Sequence, residues 1–218
     1  MDASNTSPEI IPQAEGGSEG NDRTRMLVDA ADNLLVEGGL ERLTIRAVLK
    51  RTGLARRAFY ERFASKDDLV LAVFEDVMRG AAVHFRERVE GLTDPLQRLQ
   101  RIVTGLILGS LDEAGEVNDS RPAAMVHEHM RLAETRPAEL QAAISPLISL
   151  IADQVTEGVS KGQLRDCDPF LQATLIYNLI AMTVHPELLM EEGAKPDTQR
   201  RHKLADEVWE FCRRAIVA

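Results

Sequence analysis

Apolar residues recur at helical spacing along most of this chain, and no segment alternates convincingly between apolar and polar residues as a strand would. The first clear stripe follows the spacing i, i+3, i+4, i+7 and i+8, which predicts a helix with one buried face. This stripe is formed by Leu27, Ala30, Ala31, Leu34 and Leu35. Gly38 and Gly39 end it. The pattern as a whole predicts an all-α fold.

A second, shorter stripe is formed by Ile45, Val48 and Leu49. Thr44 stands before it as a candidate N-cap, and Gly53 after it supplies the positive φ that a helix end and a tight turn require. Apolar residues then resume at Ala58, Phe59 and Phe63. Two short helices joined by a Gly-containing turn of about three to four residues are the signature of a helix-turn-helix.

Capping residues and prolines mark the starts of the later helices. Ser65 and Asp68 form a variant capping box that opens a helix predicted to reach about Glu90. Asp94-Pro95 and Asp168-Pro169 each place a capping acid before a proline at the first helical position. Further helices are predicted over residues 122–134, 137–161, 169–184 and 197–216. A proline inside the second of these, at Ser145-Pro146, should kink or split it.

This acidic chain, with a formal net charge of −9, turns basic between residues 42 and 66. The segment carries +7, so the remaining residues carry −16. Its cations are Arg42, Arg46, Lys50, Arg51, Arg56, Arg57, Arg62 and Lys66, and its acid is Glu61. Such segregation suggests one face that binds a polyanion, and a solvated basic helix face is the alternative.

Residues 24 to 74 resemble the DNA-binding domain of the TetR family of transcriptional regulators. Three motifs carry the resemblance: Gly53-Leu54, Tyr60-Glu61-Arg62-Phe63 and Ser65-Lys66-Asp67-Asp68. The sequence departs from the family pattern at Leu49, Ala55, Arg57 and Ala58. Among these, Ala55 replaces a usual Ser or Thr N-cap, and Leu49 replaces a small Ala that normally lets the two helices approach closely.

The resemblance implies two domains behind a tail. Residues 22–67 would form the helix-turn-helix DNA-binding domain, and residues 68–218 a helical effector-binding and dimerisation domain. Residues 1–21 are dominated by Ser, Gly, Pro, Glu and Asn and lack a helical period, so they are predicted to be a disordered tail.

The predicted DNA-binding residues are Thr44, Arg46, Arg56, Arg57, Tyr60 and Lys66. Arg56 and Arg57, near the start of the recognition helix, are the candidates for bidentate contacts to guanine, each of which discriminates by about 1 to 3 kcal/mol. The family's phosphate contacts are matched by Thr44, Tyr60 and Lys66. A half-buried core position is the alternative for Tyr60, and Arg46 is interpreted as a solvated charge that adds long-range attraction.

The resemblance also implies a small-molecule effector that releases the protein from DNA. The candidate lining residues are His84, Phe85, Val103, Ile107, Met125, His129, Ile144, Leu147, Ile151 and Tyr177. These side chains suit an apolar or weakly polar molecule, with plain core packing as the alternative for each of them. Repression is the family's commoner mode, and nothing in the sequence decides between repression and activation.

The family's last two helices form a dimer interface, which implies a homodimer here, with intramolecular burial of those helices as the alternative. A dimer would present two recognition helices about 34 to 36 Å apart to a palindromic double-stranded DNA operator. A chain without a basic n-region and an apolar h-segment has no signal peptide, so the sequence predicts a cytoplasmic protein with no membrane partner.

Catalytic and metal-binding chemistry is poorly represented. His127 and His129 lie at i and i+2 of a predicted helix, where the imidazoles point about 200° apart and cannot readily share one ion. No Gly-rich phosphate loop follows a strand, and no serine has a recognisable nucleophile context. The sequence therefore predicts neither an enzyme nor a cofactor or metal site. The alternative function is a helical small-molecule or protein-binding bundle without specific DNA binding.

Overall fold

Nine helices follow one another along the residues that the computed structural model describes, which are 16–109, 121–191 and 197–218. They are α1 (Gly16–Arg42), α2 (Ile45–Thr52), α3 (Arg56–Tyr60), α4 (Lys66–Val89), α5 (Pro95–Leu108), α6 (Arg121–Thr135), α7 (Pro137–Ser160), α8 (Pro169–Glu191) and α9 (Thr198–Ile216). Extended pairing within these ranges is limited to an isolated antiparallel bridge between Leu164 and Val217. The predicted all-α fold is confirmed.

The first helix buries the whole of its predicted stripe: Leu27, Ala30, Ala31, Leu34 and Leu35. Its helical geometry is interrupted at Gly38 and Gly39, and Gly39 has a φ of 62°. The helix begins at Gly16, so the prediction of a tail over residues 1–21 is wrong for residues 16–21, and residues 1–15 lie outside the described part. No proline occurs between Pro12 and Pro95, so nothing in the backbone prevents this early start.

The two short helices form the predicted helix-turn-helix. The Thr44 hydroxyl accepts a bond from the Ala47 amide at 3.1 Å and caps α2. Gly53 ends α2 with a φ of 70°, a conformation that favours glycine. Phe59 is fully buried in α3, and its ring lies 5.7 Å from that of Phe63. These contacts hold α3 against the core through one face and leave its other face outside.

The fourth helix joins the head, which is formed by α1, α2 and α3, to the rest of the molecule. Ser65 caps it, accepting a bond from the Asp68 amide at 3.2 Å, as the capping box predicts. Its 24 residues correspond to about 36 Å at 1.5 Å per residue. It packs against α1 and also against α5, α6 and α7, so one element contacts both halves of the fold.

The seventh helix continues through Pro146, so of the predicted kink or split the split does not occur. A proline at position 146 leaves the carbonyl of Ala142 without its usual helical donor. The Ser145 hydroxyl donates to that carbonyl at 2.9 Å and replaces the missing bond. Gly162, with a φ of 67°, follows the end of the helix.

The eighth helix runs to Glu191, beyond the predicted end near residue 184, and carries Pro186 within it. A proline removes one backbone bond and does not end a helix whose neighbouring turns are packed. None of the helices in the described ranges is both long enough and apolar enough to cross a membrane. Cys167 and Cys212 are free thiols.

Candidate nucleic-acid interface and internal cavity

The helix-turn-helix exposes most of the predicted DNA-binding side chains. Arg46 near the start of α2, and Arg56 and Arg57 at the start of α3, are exposed, and Lys66 at the start of α4 is half-buried. Thr44 is exposed at the cap of α2. These positions lie at or near three helix N-termini, where backbone amides and the helix dipole favour phosphate. The placement is compatible with the predicted contacts, which stay predictions.

Arg56 and Tyr60 form one unit on the outer face of α3. The Arg56 guanidinium donates to the Tyr60 hydroxyl at 3.2 Å and lies 5.5 Å from the ring centroid. Tyr60 is 46% exposed, and the edge of its ring meets Phe59 with a centroid distance of 5.3 Å. The ring therefore rests on the core while the hydroxyl stays at the surface. This arrangement fixes the direction of Arg56 and leaves its remaining donors available.

Arg57 is almost fully exposed, with 90% of its side chain accessible. It pairs with Glu61 one turn later at 2.9 Å. An exposed ion pair contributes only about 0 to 1 kcal/mol, so a phosphate or a guanine can replace Glu61 at little cost. Arg57 thus has the freedom that a base-reading side chain requires.

Not every cation of the basic segment is free. Arg51 pairs with Glu37 of α1 at 2.8 Å, and the bond from Arg51 lowers the pKa of Glu37. The guanidinium of Arg62 lies against Gly20, because a Cβ built at Gly20 would be only 2.7 Å from Arg62 Nη2. The early turns of α1, which sequence reasoning missed, therefore contact the helix-turn-helix directly.

The recognition helix starts without a side-chain cap. Ala55 makes no capping bond, as its sequence predicts, and the helix begins with the Ala58 amide donating to the Ala55 carbonyl at 2.9 Å. A missing Ser or Thr cap costs about 0.5 to 2 kcal/mol of helix stability. The five-residue α3 therefore depends on the burial of Phe59 and Phe63 for its position.

A cavity of about 190 Å³ lies between helices of the second half. Its walls come from α4, α5, α6, α7 and α8. They are formed by Phe74, Met78, Ala81, Leu106, Pro122, Met125, Val126, His129, Met130, Leu147, Tyr177, Ile180, Ala181, Met182, Val184 and His185. All but three of these residues are apolar. A cavity of about 150 Å³ in another protein holds a benzene molecule, so this one has room for a compact ligand.

The three polar residues of the cavity are His129, Tyr177 and His185. The Tyr177 hydroxyl lies 3.5 Å from His129 Nδ1, and the two ring centroids are 6.0 Å apart. Burial lowers the pKa of His129, and the charge of nearby His185 lowers it further. Burial also raises the pKa of Tyr177, so its hydroxyl stays protonated. The buried Nδ1 atom of His185 has no hydrogen-bond partner within the described structure.

Four of the ten predicted ligand-binding residues line this cavity: Met125, His129, Leu147 and Tyr177. The other six do not line it: His84, Phe85, Val103, Ile107, Ile144 and Ile151. Phe85 instead covers Gly105, where a Cβ would be 2.4 Å from its ring. Ile107 is fully buried in α5, and its backbone carbonyl accepts a bond from Arg201 of α9 at 3.4 Å. Composition alone does not separate these core positions from cavity positions.

Helical spacing in the sequence does indicate one further cavity residue. The cavity residues on α8, apart from Met182, follow the spacing i, i+3, i+4, i+7 and i+8: Tyr177, Ile180, Ala181, Val184 and His185. Those on α4 follow i, i+4 and i+7: Phe74, Met78 and Ala81. Extending each stripe from a predicted polar residue such as Tyr177 leads to His185, which the sequence analysis left out.

The metal alternative at His127 and His129 finds no support in the geometry. His129 faces the cavity, whereas His127 is exposed. In the ranges that the structure describes, no group of three or more His, Cys, Asp or Glu residues is placed to hold a metal ion.

Helix α6 connects the cavity wall to the head. Its residue Glu128 is 2% exposed and accepts from Arg131 Nε at 2.8 Å. Arg131 also reaches Asp67 in the first turn of α4, at 3.4 Å. Arg136, just after α6, pairs with Asp68 in the same turn at 2.8 Å. Two arginines thus join the wall of the cavity to the residues that immediately follow the helix-turn-helix.

Comparisons with known proteins agree with this architecture. Residues 27–73 match the family model described as bacterial regulatory proteins, tetR family. The chain is 27% identical over 164 residues to the HTH-type transcriptional repressor KstR2 of Mycobacterium tuberculosis, an alignment that covers 75% of this chain and 78% of that protein. The exposed helix-turn-helix and these matches define a helix-turn-helix transcriptional regulator.

Solved structures show the same fold over nearly the whole chain. A TetR-family regulator from Pectobacterium atrosepticum aligns with a TM-score of 0.73 at 16% identity, covering 93% of this chain and 97% of that one. FadR from Bacillus subtilis, in complex with stearoyl-CoA, aligns with a TM-score of 0.66 at 17% identity, covering 86% and 96%. The chain is therefore similar to the tetR family of bacterial regulatory proteins, in residues 27–73 by sequence and over most of its length by fold.

Proposed function

We propose that this protein is a repressor that binds a palindromic operator as a dimer and leaves it when a small, mainly apolar effector fills the cavity. The observation that carries the proposal is the exposed pair Arg56 and Arg57 at the start of a helix anchored by Phe59 and Phe63. A planar guanidinium in the major groove pairs with the O6 and N7 atoms of guanine. The similarity to a protein described as a repressor favours repression over activation.

The proposed division of labour follows the two halves of the fold. Residues 22–67 bind DNA, and residues 68–218 bind the effector and dimerise. A selection experiment with random double-stranded DNA tests the first half: the protein is expected to enrich one palindromic sequence. The logarithm of its affinity should fall steeply with the logarithm of salt concentration, by about 0.9 for each phosphate neutralised. Enrichment of nothing, with a shallow salt slope, would favour the non-DNA-binding bundle.

Dimerisation is supported by an apolar face on the last two helices. Phe170, Leu171, Leu175 and Met182 of α8 are exposed, and so is Phe211 of α9, which is 66% exposed. Exposed apolar surface of this kind marks association sites. Around Phe211 lie side chains of both charges, including Lys203, Glu207 and Arg214. A mixed-charge rim around an apolar centre is typical of protein interfaces.

A charge placed in this face tests the dimer. We expect Leu175→Glu to yield monomers in analytical ultracentrifugation and to weaken operator binding. The matched control is Val83→Glu, because Val83 of α4 is a similarly exposed apolar residue away from α8 and α9. A dimer that survives Leu175→Glu at micromolar concentration would contradict this interface.

Effector release is proposed to act through α6. Met125, Val126, His129 and Met130 of this helix face the cavity, and Arg131 contacts the first turn of α4. A ligand that packs against α6 changes the balance between two positions of this helix and therefore of α4. FadR of Bacillus subtilis, a protein of this fold, binds stearoyl-CoA, a ligand that includes a long apolar acyl chain.

A further inference from the structure

The polar end of the cavity is unusual in its charge. Two imidazoles and one phenol face an otherwise apolar space, and among the described residues no acid, lysine or arginine lines it. Histidine is the side chain whose ordinary pKa lies near neutral pH, and burial in the cavity lowers the pKa of His129. A positive charge in a mainly apolar cavity requires a nearby counter-charge, and the described lining residues offer none.

Among the described residues, no wall of the cavity supplies such a counter-charge to the two histidines. The lining residues of the other helices are uncharged. They are Phe74, Met78 and Ala81 of α4, Leu106 of α5 and Leu147 of α7. On α6 itself, Glu128 is occupied by Arg131. On α8, Glu187 lies two residues after His185 and pairs with Arg200 of α9. Among the described lining residues, Tyr177 is the remaining titratable group, and its protonated hydroxyl contributes a hydrogen-bond donor.

We propose that the cavity binds a compact apolar molecule bearing one carboxylate, held by His129 and His185 with the Tyr177 hydroxyl beside them. This inference rests on the proposed function and names the chemical class of its effector. Two carboxylate oxygens match two imidazole N–H groups, and the His185 nitrogen gains the partner that it lacks. A neutral carbonyl would be satisfied by Tyr177 alone. A phosphate would call for the arginine or lysine that the wall does not provide.

Binding of this kind takes up a proton. Burial and the neighbouring His185 lower the pKa of His129, so the free protein holds this ring largely neutral at pH 7. A bound carboxylate favours the charged imidazole and reverses that shift. The affinity for a carboxylate is therefore expected to rise as the pH falls. The affinity for an uncharged molecule of the same shape is expected to stay constant.

The test uses straight-chain carboxylates of five to eight carbons, with benzoate and 4-methylbenzoate, each paired with its primary amide. Affinities of the full-length protein are measured by isothermal titration calorimetry at pH 6, 7 and 8. The carboxylates stay ionised over this range because ordinary carboxylic acids titrate near about pH 4 to 5. At pH 6 the best carboxylate is expected to bind at least about tenfold more tightly than its amide. That advantage is expected to shrink by up to about tenfold per pH unit, as uptake of one proton requires.

Variants of single histidines identify which residues cause the preference for carboxylates over amides. His129→Gln and His185→Gln are each expected to weaken the best carboxylate by about tenfold or more at pH 6 and to flatten its pH dependence, while the matched amide changes by less than about threefold. His127→Gln is the control, because His127 lies on the same helix and is exposed. The pH series on the unaltered protein keeps the test independent of whether a variant folds.

The proposal is overturned if no carboxylate in the set binds more tightly than its amide at pH 6, or if carboxylate affinity is the same at pH 6 and pH 8. Tighter binding of the amides would assign a neutral ligand to the cavity and also overturn it. Operator binding is measured separately, without any ligand. A protein that selects an operator but fails the carboxylate test loses only the ligand class, whereas a protein that selects no DNA loses the proposed function itself.

Discussion

The head and the cavity present their chemistry in opposite ways. In the head, Arg56 and Arg57 are exposed and sit on a helix held from behind by Phe59. In the cavity, His129 and Tyr177 are enclosed by apolar side chains that resemble the surrounding core. DNA is a large external partner and requires projecting cations. A small ligand requires a space, which depends on how helices pack and leaves little trace in composition.

The two regions also differ in how firmly they are built. The head relies on a five-residue helix without a side-chain cap. The body around the cavity consists of long helices joined by ion pairs, such as Arg98 of α5 with Glu157 of α7 at 2.7 Å. A head of modest stability on a firm body suits a protein whose reading surface has to change position.

The largest expected effect concerns the head. Arg56→Ala combined with Arg57→Ala removes two candidate guanine contacts worth about 1 to 3 kcal/mol each. The ratio of operator affinity to random-DNA affinity is expected to fall by about thirtyfold or more. Fluorescence anisotropy with matched operator and scrambled duplexes measures the ratio, and circular dichroism confirms that the protein stays folded.

Lys50→Ala is the matched control, because Lys50 is an exposed cation of the same basic segment that is not a predicted reader. It is expected to reduce affinity for both duplexes equally, with a shallower salt slope. A double arginine variant that still discriminated between the duplexes would move base recognition to other residues.

The head and the cavity also differ in how far their residues could be predicted from the sequence. The head was predicted through Thr44, Gly53 and Phe59, because caps, positive-φ glycines and helical stripes are local properties of the chain. The cavity was predicted only in part. Met125, His129, Leu147 and Tyr177 come from three different helices, and whether such residues meet around a space depends on helix rotation and packing.

Side chains that replace missing backbone hydrogen bonds were also not predicted from the sequence. From sequence alone Pro146 is expected to kink or split its helix, yet the helix is not split, and the Ser145 hydroxyl satisfies the carbonyl that the proline leaves free. The start of α1 at Gly16 was missed because its composition resembles a linker. Both errors arise where tertiary contacts or one neighbouring side chain override a local preference.

The next effect tests the junction between body and head. Arg131→Met leaves the carboxylate of Glu128, which is 2% exposed, without its partner. Breaking a buried ion pair costs about 3 to 5 kcal/mol, and we expect about 3 kcal/mol here because the Arg131 side chain remains 33% exposed. Urea denaturation measures the free energy of unfolding.

Replacing both partners, Glu128→Leu with Arg131→Met, is expected to recover most of that loss, since no buried charge is left alone. A single Arg131→Met variant that loses less than about 1 kcal/mol would show that Glu128 finds other donors or water. The body would then be less firmly joined to α4 than the ion pairs indicate.

A smaller effect is expected at the start of α3 in the head, where a side-chain cap is missing. Ala55→Ser introduces a capping hydroxyl at the start of α3 and is expected to stabilise that helix by about 0.5 to 2 kcal/mol. Hydrogen exchange of the α3 amides measures the gain. Ala64→Ser, at an exposed position outside any helix, is the control. Equal protection in both variants would mean that packing of Phe59, rather than capping, limits the stability of α3.

The smallest effect concerns the pair between Arg136 and Asp68 at 2.8 Å, the second link between body and head. Both side chains are about one-third exposed, so a double-mutant cycle with Asp68→Asn and Arg136→Gln is expected to give a coupling energy of about 0.2 to 1 kcal/mol.

The Ser65 hydroxyl and then Arg136 hold the pKa of Asp68 below its ordinary value of 3.8. A lowered pKa means that this coupling is fully present above pH 3.8 and is lost as the pH falls through the folded-state value. Double-mutant cycles at pH 7 and at several values below pH 3.8 measure this dependence. A coupling energy that is the same at pH 7 and at the lowest pH would show that it does not come from the Asp68 carboxylate. A link of this size is weak enough for ligand binding to override it, so a large coupling energy would argue against α4 as the element that moves.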